Sequence, residues 1–156
     1  MNAYSQLLLY IKELADEDGY INTVTKNGSQ NIDLDKGNIY PLFDVNVGES
    51  GTFPSTAMVR FSVELVCLDV RDINDEVNTD KFWMNDNSVD NHNETLASLM
   101  GIWGKMNRNF EQNDIVASEE PDLQKRTFVE KNLLDGWILS FTVDMPMIVN
   151  LCDGCE

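Results

Sequence analysis

The stretch from Phe128 to Pro146 constrains the fold most, because it holds the longest clean alternation in the chain. Trp137, Leu139, Phe141, Val143 and Met145 fall on one face, and Ile138, Ser140, Thr142 and Asp144 on the other. Period two of this kind specifies a half-buried strand. Asp135-Gly136 separates this run from Phe128–Leu134. An Asp-Gly pair between two such runs favours the positive φ angles of a tight turn, so the sequence predicts a β-hairpin with its turn at Asp135-Gly136. Pro146 has no N–H to give a ladder and marks the end of regular pairing.

A strand with one apolar face needs a layer to cover it, and two segments have helical spacing. From Asn2 to Glu17, Tyr4, Leu7, Leu8, Ile11, Leu14 and Ala15 share a side opposite Lys12, Glu13 and Asp16, and Gly19 ends the run. From about Asn93 to Phe110, Leu96, Leu99, Met100, Trp103, Met106 and Phe110 repeat at three and four, with Asn91 or Asn93 as N-cap. Gly101 and Gly104 weaken this helix or allow a strand to approach it.

Three further runs have strand character. Tyr20–Thr25 is β-branched and stops at Asn27-Gly28, a second hairpin-type turn. Ile39–Val47 alternates through Phe43, Val45 and Val47, with Pro41 confining its first half to an edge or a strand start. Ala57–Val70 places Val59, Phe61, Val63, Leu65 and Cys67 on one face, and becomes apolar on both faces at Leu65–Leu68. A short strand is also expected at Ile115–Ala117 in the otherwise polar segment 111–126. The class is α+β: a mostly antiparallel sheet with an N-terminal and a central helix packed on one face. Its 156 residues form one domain with a long loop insertion at 71–93 and a short tail at 147–156 that is apolar and then acidic.

Charge narrows the partners. With 27 acidic and 11 basic residues the net charge is −16, while the 42% hydrophobic content is enough for a core. Phosphate backbones are held by Lys and Arg that displace counterions, so a DNA-gripping role is disfavoured. Acidity is compatible with solubility alone, with a wall past which DNA slides, or with mimicry of DNA toward a basic partner. No run of about 18 apolar residues exists, which argues against a membrane span. The N-terminus lacks the basic start and cleavage site of a secretory leader, which points to synthesis in the cytoplasm.

Catalytic patterns are missing. The one histidine, His92, is expected beside a helix N-cap in a structural role, and no nucleophile elbow, phosphate loop, dinucleotide fingerprint or zinc-protease helix is present. Cys152 and Cys155 have zinc or redox spacing without a second pair to complete a zinc site. A zinc ion or disulfide shared between subunits remains open for them. Asp33–Gly37 and Asp86–Asp90 lack the glycine and glutamate of calcium loops and read as solvated loops. The expectation is a non-enzyme with no cofactor and no bound metal. Phe82, Trp83 and Met84, three large apolar residues in a polar segment, either contact another chain or fold back onto this domain's core. Phe53, in the Gly/Ser/Pro-rich loop 48–55, is a weaker contact candidate.

The order of these elements resembles that of tail-terminator and neck-ring proteins of tailed bacteriophages. The likeness is carried by Leu7–Leu14 followed by a short strand, by Tyr40–Phe43 leading into a strand, and by Leu133–Trp137 before Phe141–Pro146. The resemblance implies a virion protein, made in the bacterial host cytoplasm, that forms a hexameric or dodecameric ring at the head–tail junction. Such a ring caps the tail tube, joins it to the portal connector and lets genome DNA pass. The chain's acidity and its 71–93 insertion depart from the family's pattern. On this reading Phe82, Trp83, Met84 and Phe53 lie at subunit contacts, and Asp33, Asp35, Glu119 and Glu120 are candidate acids of a lumen that repels DNA. The alternative is an acidic DNA mimic that occupies a basic nucleic-acid-binding protein. A small hydrolase built on His92 or an Asp pair would require a concave polar pocket around them.

Overall fold

A computed structural model describes residues 3–26, 40–49, 58–72, 82, 87–112, 115–118, 120–129 and 133–146. In chain order these form α1 (Ala3–Glu17), β1 (Thr23–Lys26), β2 (Leu42–Glu49), β3 (Met58–Val70), α2 (Ser88–Gln112), β4 (Val116–Ala117), β5 (Asp122–Val129) and β6 (Leu133–Pro146). The strands build one sheet in the order β1-β2-β3-β6, with β4 and β5 both on the outer side of β6. β1 pairs parallel with β2, and every other pairing is antiparallel. The fold is therefore α+β and mostly antiparallel.

Both helices lie on one face of the sheet. Phe43, Val45 and Val47 of β2, Val63, Leu65 and Cys67 of β3, and Leu139, Phe141, Val143 and Met145 of β6 meet Leu7, Ile11, Leu14 and Ala15 of α1. Leu99, Ile102, Met106 and Phe110 of α2 complete the same core. These are the period-two faces of the strands meeting the apolar stripes of the helices. Fully burying a side chain such as Leu7 or Ile11 stabilises the fold by roughly 1.5–3 kcal/mol. Trp103 lies against Phe141 at 4.6 Å between ring centroids and closes the α2 end of the core. On the opposite face, Val66, Leu68 and Leu134 form a small second cluster with Tyr40, Val70 and Ile138, accounting for the two-sided apolar end of β3.

Several expectations are corrected. Asp135-Gly136 is not a turn: β6 runs unbroken through it, and Leu133 pairs with Val129, so the connection from β5 is residues 130–132. Gly136 lies in the strand because β3 comes too close for a side chain. A Cβ there would sit 1.9 Å from the Cys67 carbonyl oxygen. The second expected turn, Asn27-Gly28, lies outside the described residues; β1, which precedes it, runs parallel to β2. α2 starts at Ser88 rather than Asn93, with the Asn87 carbonyl accepting from the Asn91 amide at 2.9 Å. Its first turns bury Asn91, His92, Thr95 and Ser98, so the stripe exists but is polar where it meets strand ends. Tyr4 and Met100 are exposed rather than core residues, and nothing approaches Gly101 or Gly104 closely.

Residues 122–126 of β5 occupy a segment expected to be irregular, while Phe128 and Val129 fall in the run read as a strand. In β5, residues 122–127 are exposed on both faces, and a strand with neither face buried carries no alternation to read. β4 and β5 act as one interrupted edge strand. Ala117 pairs with Val143 and Asp122 with Ser140, so four residues on the edge span two on β6. Ser118 bridges the interruption, its amide donating to the Thr142 carbonyl and its Oγ accepting from the Thr142 amide. This is a bulge, two extra residues on the edge that interrupt the ladder locally.

Candidate functional site

The residues expected at subunit contacts and along a lumen are only partly described. Phe82 is 79% exposed and Glu120 is exposed between β4 and β5. Trp83, Met84, Phe53, Asp33, Asp35 and Glu119 lie outside the described residues. Of the two sets, only Phe82 and Glu120 are thus placed among the described residues.

The structure assembles two edges and one polar cluster. Among the described residues, no strand pairs with the outer side of β1 or of β4 and β5. The β4–β5 edge exposes Val116 and Leu123, at 63% and 36%, beside Asp122, Gln124, Lys125 and Arg126. On the other side of the sheet, α1 and β1 leave a groove of about 500 Å³ lined by Leu8, Leu9, Val24 and Val45, with Ser5, Thr25, Lys12 and Lys26 around them. Leu9 is 42% exposed. One helix stripe cannot bury Leu7, Leu8 and Leu9 together at 3.6 residues per turn. Leu7 enters the core, Leu8 is half-buried and Leu9 turns outward. This run of three leucines was the sequence signal for the groove.

The polar cluster sits where α2 begins. Arg71, just after β3, donates from Nε and Nη2 to Oδ2 and Oδ1 of Asp135 at 2.8 and 2.5 Å, and from Nη2 to Ser88 Oγ at 3.1 Å. Thr127 of β5 donates to the same carboxylate at 2.9 Å. Asp135 is 0% exposed. Burial pushes its carboxyl up, but the hydrogen bonds from Arg71 and Thr127, with the charges of Arg71 and His92, outweigh it and hold the carboxyl below the usual range. Asn91 Nδ2 donates to the Val70 carbonyl at 2.9 Å, and Trp137 Nε1 donates to the His92 carbonyl at 2.7 Å. The cluster fastens α2 to β3, β5 and β6.

Ser88, His92 and Asp135 are near one another, yet their geometry is not that of a nucleophile and its base. His92 Nδ1 lies 2.8 Å from the Ser88 carbonyl oxygen and 3.4 Å from Ser88 Oγ. A carbonyl partner requires the proton on Nδ1, which removes the lone pair that would activate the hydroxyl. Nε2 faces the Arg126 carbonyl at 3.3 Å and Asp135 at 3.8 Å, and Trp137 meets the ring edge-on. Among the described residues no group of three or more His, Cys, Asp or Glu side chains is placed to hold a metal ion. No described helix is long and apolar enough to cross a membrane. In comparison with known proteins, no protein-family model and no curated sequence matches the chain.

Proposed function

We propose that this chain is a structural virion protein of a tailed bacteriophage, a ring-forming subunit at the head–tail junction that acts as tail terminator or neck ring. The observation that carries the reading is a pair of sheet edges, on opposite sides of the protomer, that no described strand covers, with Val116 and Leu123 exposed on one and Leu9 of α1 exposed beside the other. An exposed strand edge is a liability in a monomer, and two unlike edges suit head-to-tail contacts that close into a ring. The order of α1, a short strand, two long strands, α2 and a final strand pair supports the same reading through its resemblance to such proteins.

The net charge of −16 fits a ring through which DNA passes without being held. The subunit binds the tail tube on one side and the portal connector on the other, and it has no catalytic role. Negative-stain electron microscopy of the purified full chain tests this. Closed annuli with a central opening are expected; isolated particles of single-subunit size that bind a basic nucleic-acid-binding protein would favour the DNA mimic instead.

A further inference from the structure

The groove between α1 and β1 has an apolar floor and a basic rim in a strongly acidic protein. Leu8, Leu9, Val24 and Val45 form the floor, and Lys12 and Lys26 lie at the rim. Two of the chain's 11 basic residues thus meet at one groove. Lys12 is paired with Asp16 at 2.5 Å, but both side chains are about half exposed, and such a pair is weak enough to be shared. The groove calls for an extended segment that is apolar first and acidic after. Residues 147–156 have that order: Met147, Ile148, Val149 and Leu151, then Asp153 and Glu156.

A protomer's own tail cannot fill its own groove. β1, β2 and β6 point the same way, since β2 is antiparallel to β3 and β3 to β6. Val24 is level with Phe43, Cys67 and Trp137, whereas the tail leaves after Pro146, nine residues further along β6. At about 3.3 Å per residue that is ~30 Å along the strands, and three strand spacings add ~14 Å across. The separation is then ~33 Å, which ten residues span only when fully extended, while Met147–Leu151 reach about 17 Å. The apolar residues that match the floor therefore cannot reach it within one protomer.

We infer that the groove between α1 and β1 receives residues 147–156 of a second copy of the chain, Met147–Leu151 on the apolar floor and Asp153 or Glu156 at Lys12 and Lys26. The inference deepens the ring reading and rests on it: each subunit gives its tail to one neighbour and takes the tail of the other, a heterologous contact that closes into a ring. Extension along an unpaired strand edge is an established way for one chain to hold another.

The test is cross-linking in the full-length chain. Lys26 is exposed, so Lys26→Cys leaves the fold intact and places a thiol at the groove beside the native Cys152 and Cys155 of an incoming tail. Oxidation with copper phenanthroline is followed on a non-reducing gel, with unsubstituted protein in parallel and its solution mass measured separately. A ladder of covalent dimers and larger species specific to K26C, abolished by adding Cys152→Ser and Cys155→Ser, supports the inference. A shifted monomer band would assign the groove to the chain's own tail and overturn it. A ladder that survives loss of both tail cysteines would also overturn it. If unsubstituted protein assembles and K26C gives no ladder, the tail contact is wrong and the ring reading stands. If unsubstituted protein stays monomeric and no ladder forms, both fall.

Discussion

Two arginine–aspartate forks hold the β3–β6 region, one near each end, and their chemistry is the same. Arg60 donates through Nε and Nη2 to Asp144 at 2.6 and 2.8 Å, and Arg71 binds Asp135 in the same two-pronged way. Their surroundings differ. Arg60 and Asp144 face each other in register on the helix-free face, partly exposed, beside Ser62 and Thr142. Asp135 is sealed under α2 and β5, with Thr127 and His92 around it. An ion pair in water contributes little to stability, whereas a buried one is costly to break because the surviving charge has nowhere to go. The sealed fork fixes where α2 meets the sheet, and the open one decorates a surface.

The most severe way to break the sealed end is Gly136→Ala. Its Cβ would lie 1.9 Å from the Cys67 carbonyl oxygen, a backbone atom that cannot move without parting β3 from β6. A loss of about 3 kcal/mol or more, or failure to recover folded protein, is expected in urea unfolding. Asp135→Ala comes next, with a loss of about 3 kcal/mol, the low end for breaking a buried pair because the Arg71 side chain left behind is 20% exposed.

A pH series sharpens the same comparison. The Asp135 carboxyl is held below its ordinary range. Its contribution is therefore complete above the unfolded value of about 3.9 and is lost as pH falls from there through the folded value. Wild-type stability should drop on acidification below about pH 4, and Asp135→Asn should show a shallower drop across that window. The Asp144 carboxyl is lowered by its hydrogen bonds from Arg60 against a smaller opposing effect of burial. Asp144→Asn should flatten the acid limb far less than Asp135→Asn, and an equal effect from both would refute the distinction between the two ends.

The smallest effect on folding is expected at the β4–β5 edge. Leu123→Lys or Val116→Lys should leave the midpoint of thermal unfolding nearly unchanged, because both side chains are exposed. Either should weaken self-association by about tenfold or more, read from the concentration dependence of mass. An unchanged association would remove this edge from the subunit contact.

How much of this was legible follows from what each segment buries. The long alternations of β3 and β6 and the stripe of α1 are written in side chains that face one core, and they appear where periodicity puts them. Asp135-Gly136 has the look of a turn because a turn dipeptide and a close strand approach both call for glycine, and only the position of the Cys67 carbonyl distinguishes them. Residues 122–126 of β5 left no signal because both faces are exposed there. The start of α2 was hidden because Asn91, His92, Thr95 and Ser98 are buried against carbonyls and carboxylates rather than apolar side chains. The Arg71–Asp135 fork joins residues far apart in sequence, so no local pattern announces it, although a charge at the end of each of the two strongest strands was a hint.

The proposed ring requires protomers that join edge to edge. Sedimentation velocity of the full chain across a wide concentration range tests it most directly. A discrete species of about six or twelve subunits is expected, its mass no longer growing once formed, as a closed ring requires. A monomer at every concentration, or open-ended growth with no limiting mass, would contradict it.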